Sequence, residues 1–307
     1  MGFHLVNRMK KQNSIGQGHG VAGRFAGLPD PYASQDSAQI VVVPVPFDLT
    51  TTYRKGSDKG PAALIEASRN MELYDIETNS EVYLKGIFTA PPVREKSSEK
   101  MLEKTYQTVR TYLAQSKYVV TIGGEHAISY APIRAYAEQF PQLTVLQFDA
   151  HADLQPAYEG NPWSHASVMA RVKELENVKK IVSVGIRSMS AEELPYLDRP
   201  RTFFAHELDE SGQWIDFVLK ELSGPVYITF DLDAFDSSLM PSTGTPEPGG
   251  LRWNQAMQIL RKVFQEKTVV GFDVVELCPS RHDHAPDYLA AKLVYKLLSY
   301  QFQELPL

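Results

Sequence analysis

Apolar positions along this chain come in short blocks, and the blocks alternate between two textures. One texture is a β-branched or aromatic run, continuous enough to suit a strand buried on both faces. QIVVVPVPF from Gln39, YVVTIGG from Tyr118, LTVLQFDA from Leu143 and KIVSVGIR from Lys180 are of this kind. So are RTFFAHEL from Arg201, PVYITFDLDAF from Pro225 and KTVVGFDVVELC from Lys267. The other texture has helical spacing. It covers GPAALIEASRNMELY from Gly60, with Pro61 in its first turn, and ISYAPIRAYAEQF from Ile128. It recurs in SHASVMARVKELE, the short SAEELPYL, GQWIDFVLKELS, RWNQAMQILRKVFQ and PDYLAAKLVYKLLSYQ. About eight such strand–helix units predict a single three-layer α/β domain with a mostly parallel sheet and helices on both faces. That domain runs from residue 38 to residue 307. Residues 1–37, rich in Gly, Gln, Ser and Asn, read as an extension that packs on the surface or on a neighbouring subunit.

In sheets of this kind, ligands bind outside the carboxyl ends of the strands. The ionisable residues collect there. YVVTIGG leads into Glu125 and His126, LTVLQF into Asp149, His151 and Asp153, VYITF into Asp231 and Asp233, and TVVGFDVV into Glu276. Side chains at i and i+2 of a strand share a face. Asp149 with His151, and Asp231 with Asp233, are therefore each aimed at one place. A buried cluster of carboxylates is strongly unfavourable without cations. Four aspartates match the charge of two divalent ions, and His126 and His151 complete a mixed set. Six residues serve two ions only if carboxylates bridge, as in paired-metal sites ~3.5–4 Å apart. Imidazole mixed with carboxylate disfavours Ca²⁺ and Mg²⁺ and favours Mn²⁺, with Co²⁺, Fe²⁺ or Zn²⁺ also compatible. Taken alone, GGEH reads as a glycine turn and DLDAFD as an acidic loop; the metal reading rests on their convergence.

Composition narrows the partners. The 307 residues are 43% hydrophobic and 22% charged, with 31 basic against 37 acidic side chains and a net charge of −6. With no long basic run there is no footprint for nucleic acid. No apolar run approaches the ~18 residues of a membrane span. MGFHLVNRMKKQ lacks the apolar core of a secretory signal. One cysteine, Cys278, excludes an intrachain disulfide, and a cytoplasmic setting is the simplest.

GGEH at 123–126, DAHAD at 149–153 and TFDLDAFDSSLMPSTGTPEPGG at 229–250 resemble the three signature blocks of the ureohydrolases, the arginase/agmatinase family. PFDLTTTYRKGSDKGPAALIEAS and DVVELCP are similar to further family segments, so the resemblance spans about residues 37–300. It implies an eight-stranded α/β fold, two Mn²⁺ ions per subunit, hydrolysis of guanidino or amidino C–N bonds, and homotrimers or homohexamers. It implies one ion on His126, Asp149, Asp153 and Asp231, and the other on His151, Asp149, Asp231 and Asp233. Two departures stand out: Ser237 follows Asp236 where Pro is frequent, and Thr229 stands where Ser is common. Neither is expected to touch a ligand residue.

The same resemblance gives catalytic roles. Asp153 orients the attacking water, Glu276 in VVELC holds the guanidinium by paired charge-assisted hydrogen bonds, and His165 in NPWSHAS shuttles a proton to the leaving amine. Thr245 and Trp163 are further candidates for substrate contact, and Glu159 for an acidic lining. Glu125 reads as structural, and His282 and His284 as loop residues. The loop LQPAYEGNPWSH lacks the Asn/Thr/Ser set expected of an arginase and looks like bacterial agmatinases. A small cationic guanidino substrate is therefore expected, agmatine first, giving putrescine and urea. Guanidinobutyrate, guanidinopropionate, formimidoylglutamate, arginine and guanidine are the alternatives. A metal-binding but inert assembly subunit is the alternative of another class.

Overall fold

The computed structural model describes residues 20–303, so residues 1–19 of the N-terminal extension lie outside it. Its strands are β1 (Ile40–Val45), β2 (Ile87–Thr89), β3 (Tyr118–Gly123), β4 (Leu143–Phe148), β5 (Val178–Ile186), β6 (Thr202–Phe204), β7 (Pro225–Asp231) and β8 (Thr268–Val275). They form one sheet in the order β2-β1-β3-β8-β7-β4-β5-β6. Every pairing in it is parallel.

The helices are α1 (Gly60–Ser68), α2 (Ser98–Leu113), α3 (Tyr130–Gln139), α4 (Val168–Val172), α5 (Gln213–Glu221), α6 (Trp253–Glu266) and α7 (Ala285–Gln301). The pleat sends alternate side chains to opposite faces. Ile40 and Val42 of β1 join a core shared with α1, α5, α6 and α7. Val41, Val43 and Val45 join a second core with α2, α3 and α4. Both faces are thus covered, which is why the strands read as unbroken apolar runs. Phe25 and Leu28, from the stretch before β1, are fully buried in the first core.

Two elements lie outside the alternation read from sequence. β2 has three residues at the sheet edge, too few to show a period. α2 is amphipathic: Met101, Leu102, Thr105, Tyr106, Val109, Tyr112 and Leu113 are buried along one stripe, and Ser97 caps it by accepting from Lys100 N. Elsewhere two helices are shorter than their patterns. α1 stops at Ser68, and α4 keeps one turn after the 3-10 segment His165–Ser167.

The order of the strands positions the polar ends. β7 and β8, late in the chain, fill the space between β3 and β4. Residues that follow β3, β8, β7 and β4 are therefore neighbours on the C-terminal edge. At Gly124 the chain leaves β3 against the turn after β1: a Cβ there would collide with the Phe47 carbonyl, a backbone atom that cannot swing away. Gly124→Ala should cost about 1–3 kcal/mol by overpacking and lower Tm by several degrees in thermal unfolding. An unchanged Tm would refute this close approach.

Candidate metal centre and adjoining cavity

Three of the cluster aspartates have one oxygen pinned by a backbone amide. Asp149 Oδ1 accepts from His151 N (2.6 Å), Asp233 Oδ1 from Ala150 N (3.0 Å) and Asp231 Oδ1 from Asp233 N (2.8 Å). The imidazoles lie against these carboxylates. His126 Nδ1 lies 3.0 Å from Asp149 Oδ2, 3.1 Å from Asp153 Oδ2 and 3.4 Å from Asp231 Oδ2. His151 Nδ1 lies 3.0 Å from Asp233 Oδ2 and 3.7 Å from Asp149 Oδ1. Two groups with ligand spacing result, His126/Asp149/Asp153 and Asp149/His151/Asp233, and they share Asp149.

His126 Nδ1 makes no hydrogen bond despite three carboxylate oxygens around it, because their directions miss hydrogen-bond geometry. Its other nitrogen, Nε2, is 2.9 Å from Thr229 Oγ1, which donates to Asp273 Oδ1 at 2.7 Å. In the neutral ring the proton therefore belongs on Nε2, and Nδ1 is the atom that a cation and a second proton would compete for. A buried lone pair and inward carboxylate oxygens converging on one point are what a divalent cation requires, and the donor set fits the ion expected from sequence.

The electrostatics point the same way. Burial would lower the His151 pKa, but Asp233 and then Asp149 outweigh it and push it up to about 12. Burial likewise opposes protonation of His126, and Asp149 and Asp153 carry it well up instead. Burial pushes Asp153 up to about 7, with Asp149 adding to it. Burial, then Asp233 and Asp149, raises Asp231 well above the carboxylate range. Without cations, this cluster holds protons on its ligands.

Beside it opens a cavity of about 230 Å³, lined by His126, His151, Asp153, Asp231 and Asp233 and also by His165, Thr245 and Glu276. Glu276 follows β8 with φ +67°, and Asp153 has φ +54°. Left-handed backbone at non-glycine residues costs about 1–3 kcal/mol and collects at functional sites. Glu276 Oε1 accepts from His126 N at 2.7 Å, while its buried Oε2 has no partner among the described residues. Burial first, then the nearby Glu125, pushes the Glu276 carboxyl well up. His165 opens the 3-10 turn before α4. Its pKa is lowered to about 4 by burial, then by His151 and His126.

Most of the residues singled out from sequence thus meet at one place. Trp163 does not: its ring packs on Tyr130, with centroids 5.1 Å apart, and it is absent from the cavity wall. Tyr158 of the same loop lines the cavity instead, its ring edge-on to His165. Glu159 is exposed outside the cavity. Thr229 corrects another expectation, for it touches His126 directly. Asp273, Gln147 and Thr50 went unread. Gln147 donates to Asp149 Oδ2 at 2.9 Å, and Thr50 bonds His165. Only the position of Thr50 after a strand hinted at the site.

A family model described as the arginase family matches residues 38–299. An N(1)-aminopropylagmatine ureohydrolase of Synechocystis sp. is 37% identical over 278 residues, covering 87% of this chain and 90% of that one. An agmatinase of Pyrococcus horikoshii is 30% identical, covering 87% and 94%. The crystal structure of agmatine ureohydrolase of Thermoplasma volcanium superposes with a TM-score of 0.79 at 30% identity, covering 87% and 91%.

Protons on His126 and His151 compete with a cation for the same lone pairs. Metal uptake at neutral pH should therefore release protons, and apparent affinity should rise with pH. Calorimetric titration of metal-free protein with Mn²⁺ in buffers of different ionisation heat checks this; buffer-independent heats would contradict it. Asp149→Ala should empty both positions and Asp153→Asn only one, read as metal per chain by elemental analysis.

Proposed function

The chain belongs to the arginase family, and on that premise we propose that it hydrolyses the guanidino group of a small amine, agmatine first, to putrescine and urea. The observation that carries this reading is Glu276 Oε2: a buried carboxylate oxygen without a partner among the described residues, on the wall of the cavity that also holds the His/Asp cluster. A guanidinium supplies what it lacks, paired N–H donors and a positive charge.

His126, Asp149, Asp153 and Asp231 would hold one divalent ion, and His151, Asp149, Asp231 and Asp233 the other. Two such ions, Mn²⁺ in this reading, would lower the pKa of a bound water toward neutrality. The chain's own groups do the rest. Asp153 orients the attacking water, and Glu276 presents the trigonal carbon to it. His165, uncharged at neutral pH, accepts a proton and gives it to the leaving nitrogen. Guanidinium plus water thereby yields urea and an ammonium.

Among the described residues, the cavity wall has no Lys or Arg. A substrate carboxylate would find no cationic partner there. This favours agmatine over arginine, guanidinobutyrate or formimidoylglutamate. The Synechocystis relative's name favours a second reading, in which the distal amine carries an aminopropyl group. Cys278 is buried and donates its thiol to the Lys55 carbonyl, which suits a reducing cytoplasm. Assembly as a homotrimer or homohexamer belongs to the same proposal.

Urea release with added Mn²⁺ tests it. Agmatine or N(1)-aminopropylagmatine should exceed arginine and guanidinobutyrate by about 100-fold in kcat/KM. A faster carboxylate-bearing substrate would overturn the specificity, formamide from formimidoylglutamate would mark that substrate, and no turnover of any compound would leave an inert metal-binding subunit. Glu276→Gln should lower kcat/KM about 100-fold with metal content intact; lost metal would mean that Glu276 is a ligand. Gly244→Ala adds a methyl 3.6 Å from Glu276 Oε2 and 3.4 Å from Thr51 Cγ2. It should raise KM several-fold with Tm unchanged.

A further inference from the structure

Glu125 is fully buried beside the centre, and neither the ions nor the substrate uses it in the reading above. Its contacts run elsewhere. Oε2 accepts from Thr50 N at 2.6 Å and Thr51 N at 3.3 Å, and Oε1 accepts from Thr50 Oγ1 at 2.9 Å. The same Thr50 oxygen accepts from His165 N at 3.0 Å and lies 3.0 Å from His165 Nδ1. Three segments meet in this hydroxyl: the loop after β1, the end of β3 and the turn before α4. Phe47 O, accepting from Glu125 N at 2.8 Å, holds the first two together.

A hydroxyl has one hydrogen and two lone pairs. Glu125 Oε2 takes two backbone N–H groups and Oε1 takes the Thr50 hydroxyl, so Thr50 spends its one hydrogen on Glu125. Its lone pairs then receive the two nitrogens of His165, so Nδ1 must bring its own proton. We propose that Glu125, acting through Thr50, fixes His165 as the Nδ1–H tautomer. That leaves the Nε2 lone pair for the cavity that His165 lines. Glu125 and Thr50 are positioning residues: they touch no reacting atom, but they decide which nitrogen of His165 accepts the proton. The catalytic consequence rests on the proposed shuttle role of His165; the tautomer does not.

The tautomer is read directly by ¹⁵N NMR of imidazole-labelled protein, dialysed free of paramagnetic ions, with the His165 signals assigned by their loss in His165→Gln. Wild type should show protonated Nδ1 and bare Nε2, and Thr50→Ser should keep both that signature and kcat within a few-fold. Glu125→Gln gives a sharper outcome. Its amide oxygen must still face Thr50 N, so its NH₂ turns to Thr50 Oγ1. Thr50 then donates to Nδ1 instead, and the imidazole proton moves to Nε2. That variant, and Thr50→Val, should lose about 10- to 100-fold in kcat, with KM and metal content little changed. A bare Nδ1 in wild type would overturn the relay, as would Thr50→Val with unchanged tautomer and kcat. If the tautomer is as proposed but His165→Gln keeps full urea release, the shuttle reading fails and the relay stands.

Discussion

Burying negative charge is the constraint on which the architecture turns. Asp149, Asp153, Asp231, Asp233 and Glu276 are each at least nine-tenths buried along one edge of one sheet. An uncompensated ion in such a place costs several kcal/mol. Within the protein alone the compensation is protonic: two imidazoles are driven to stay charged and several carboxyls to stay neutral. The same donors have the spacing to hold divalent cations, which would displace those protons. The parallel sheet makes the crowding tolerable because backbone amides at the strand ends satisfy one oxygen of three of these aspartates. Only the inward oxygens are left to be neutralised.

The frame around that cluster is held from outside. Arg187, just past β5, donates to the carbonyls of Gly185, Asp233, Phe235, Glu247 and Pro248, so one side chain ties the loop after β7 to β5. The carbonyl of Asp153 accepts from Met169 N and Ala170 N, anchoring a left-handed residue to the start of α4. Backbone strain at Asp153 and Glu276 is thus held by hydrogen bonds in the surrounding structure. This is the arrangement expected where two carboxylates must point somewhere that their preferred conformation would not send them.

The fold was legible because a sheet covered on both faces writes itself as β-branched runs, and the polar cluster was legible because those runs end in acids. Legibility failed where a contact joins residues far apart in sequence. Thr50 and His165 are 115 positions apart, and His126 and Thr229 are 103 apart; no local pattern announces that such pairs will meet. Trp163 was misplaced for a related reason. An aromatic residue in a site loop has two sides to choose from, and the face of Tyr130 decided it. β2 escaped notice by brevity, whereas α2 carried a periodic stripe that was available to be read.

The strand order has a consequence for the history of each molecule. A chain emerging from the ribosome folds from its N-terminal side, yet β7 and β8 occupy the middle of the sheet. Until residues 225–275 arrive, β3 and β4 lack their shared neighbours, and His126 and Asp149 lack Asp231 and Glu276. A chain that stops short of residue 225 therefore has four of the six candidate ligands and an open gap between two apolar strands. Closure of the sheet and assembly of the full set of candidate ligands thus wait for the same residues.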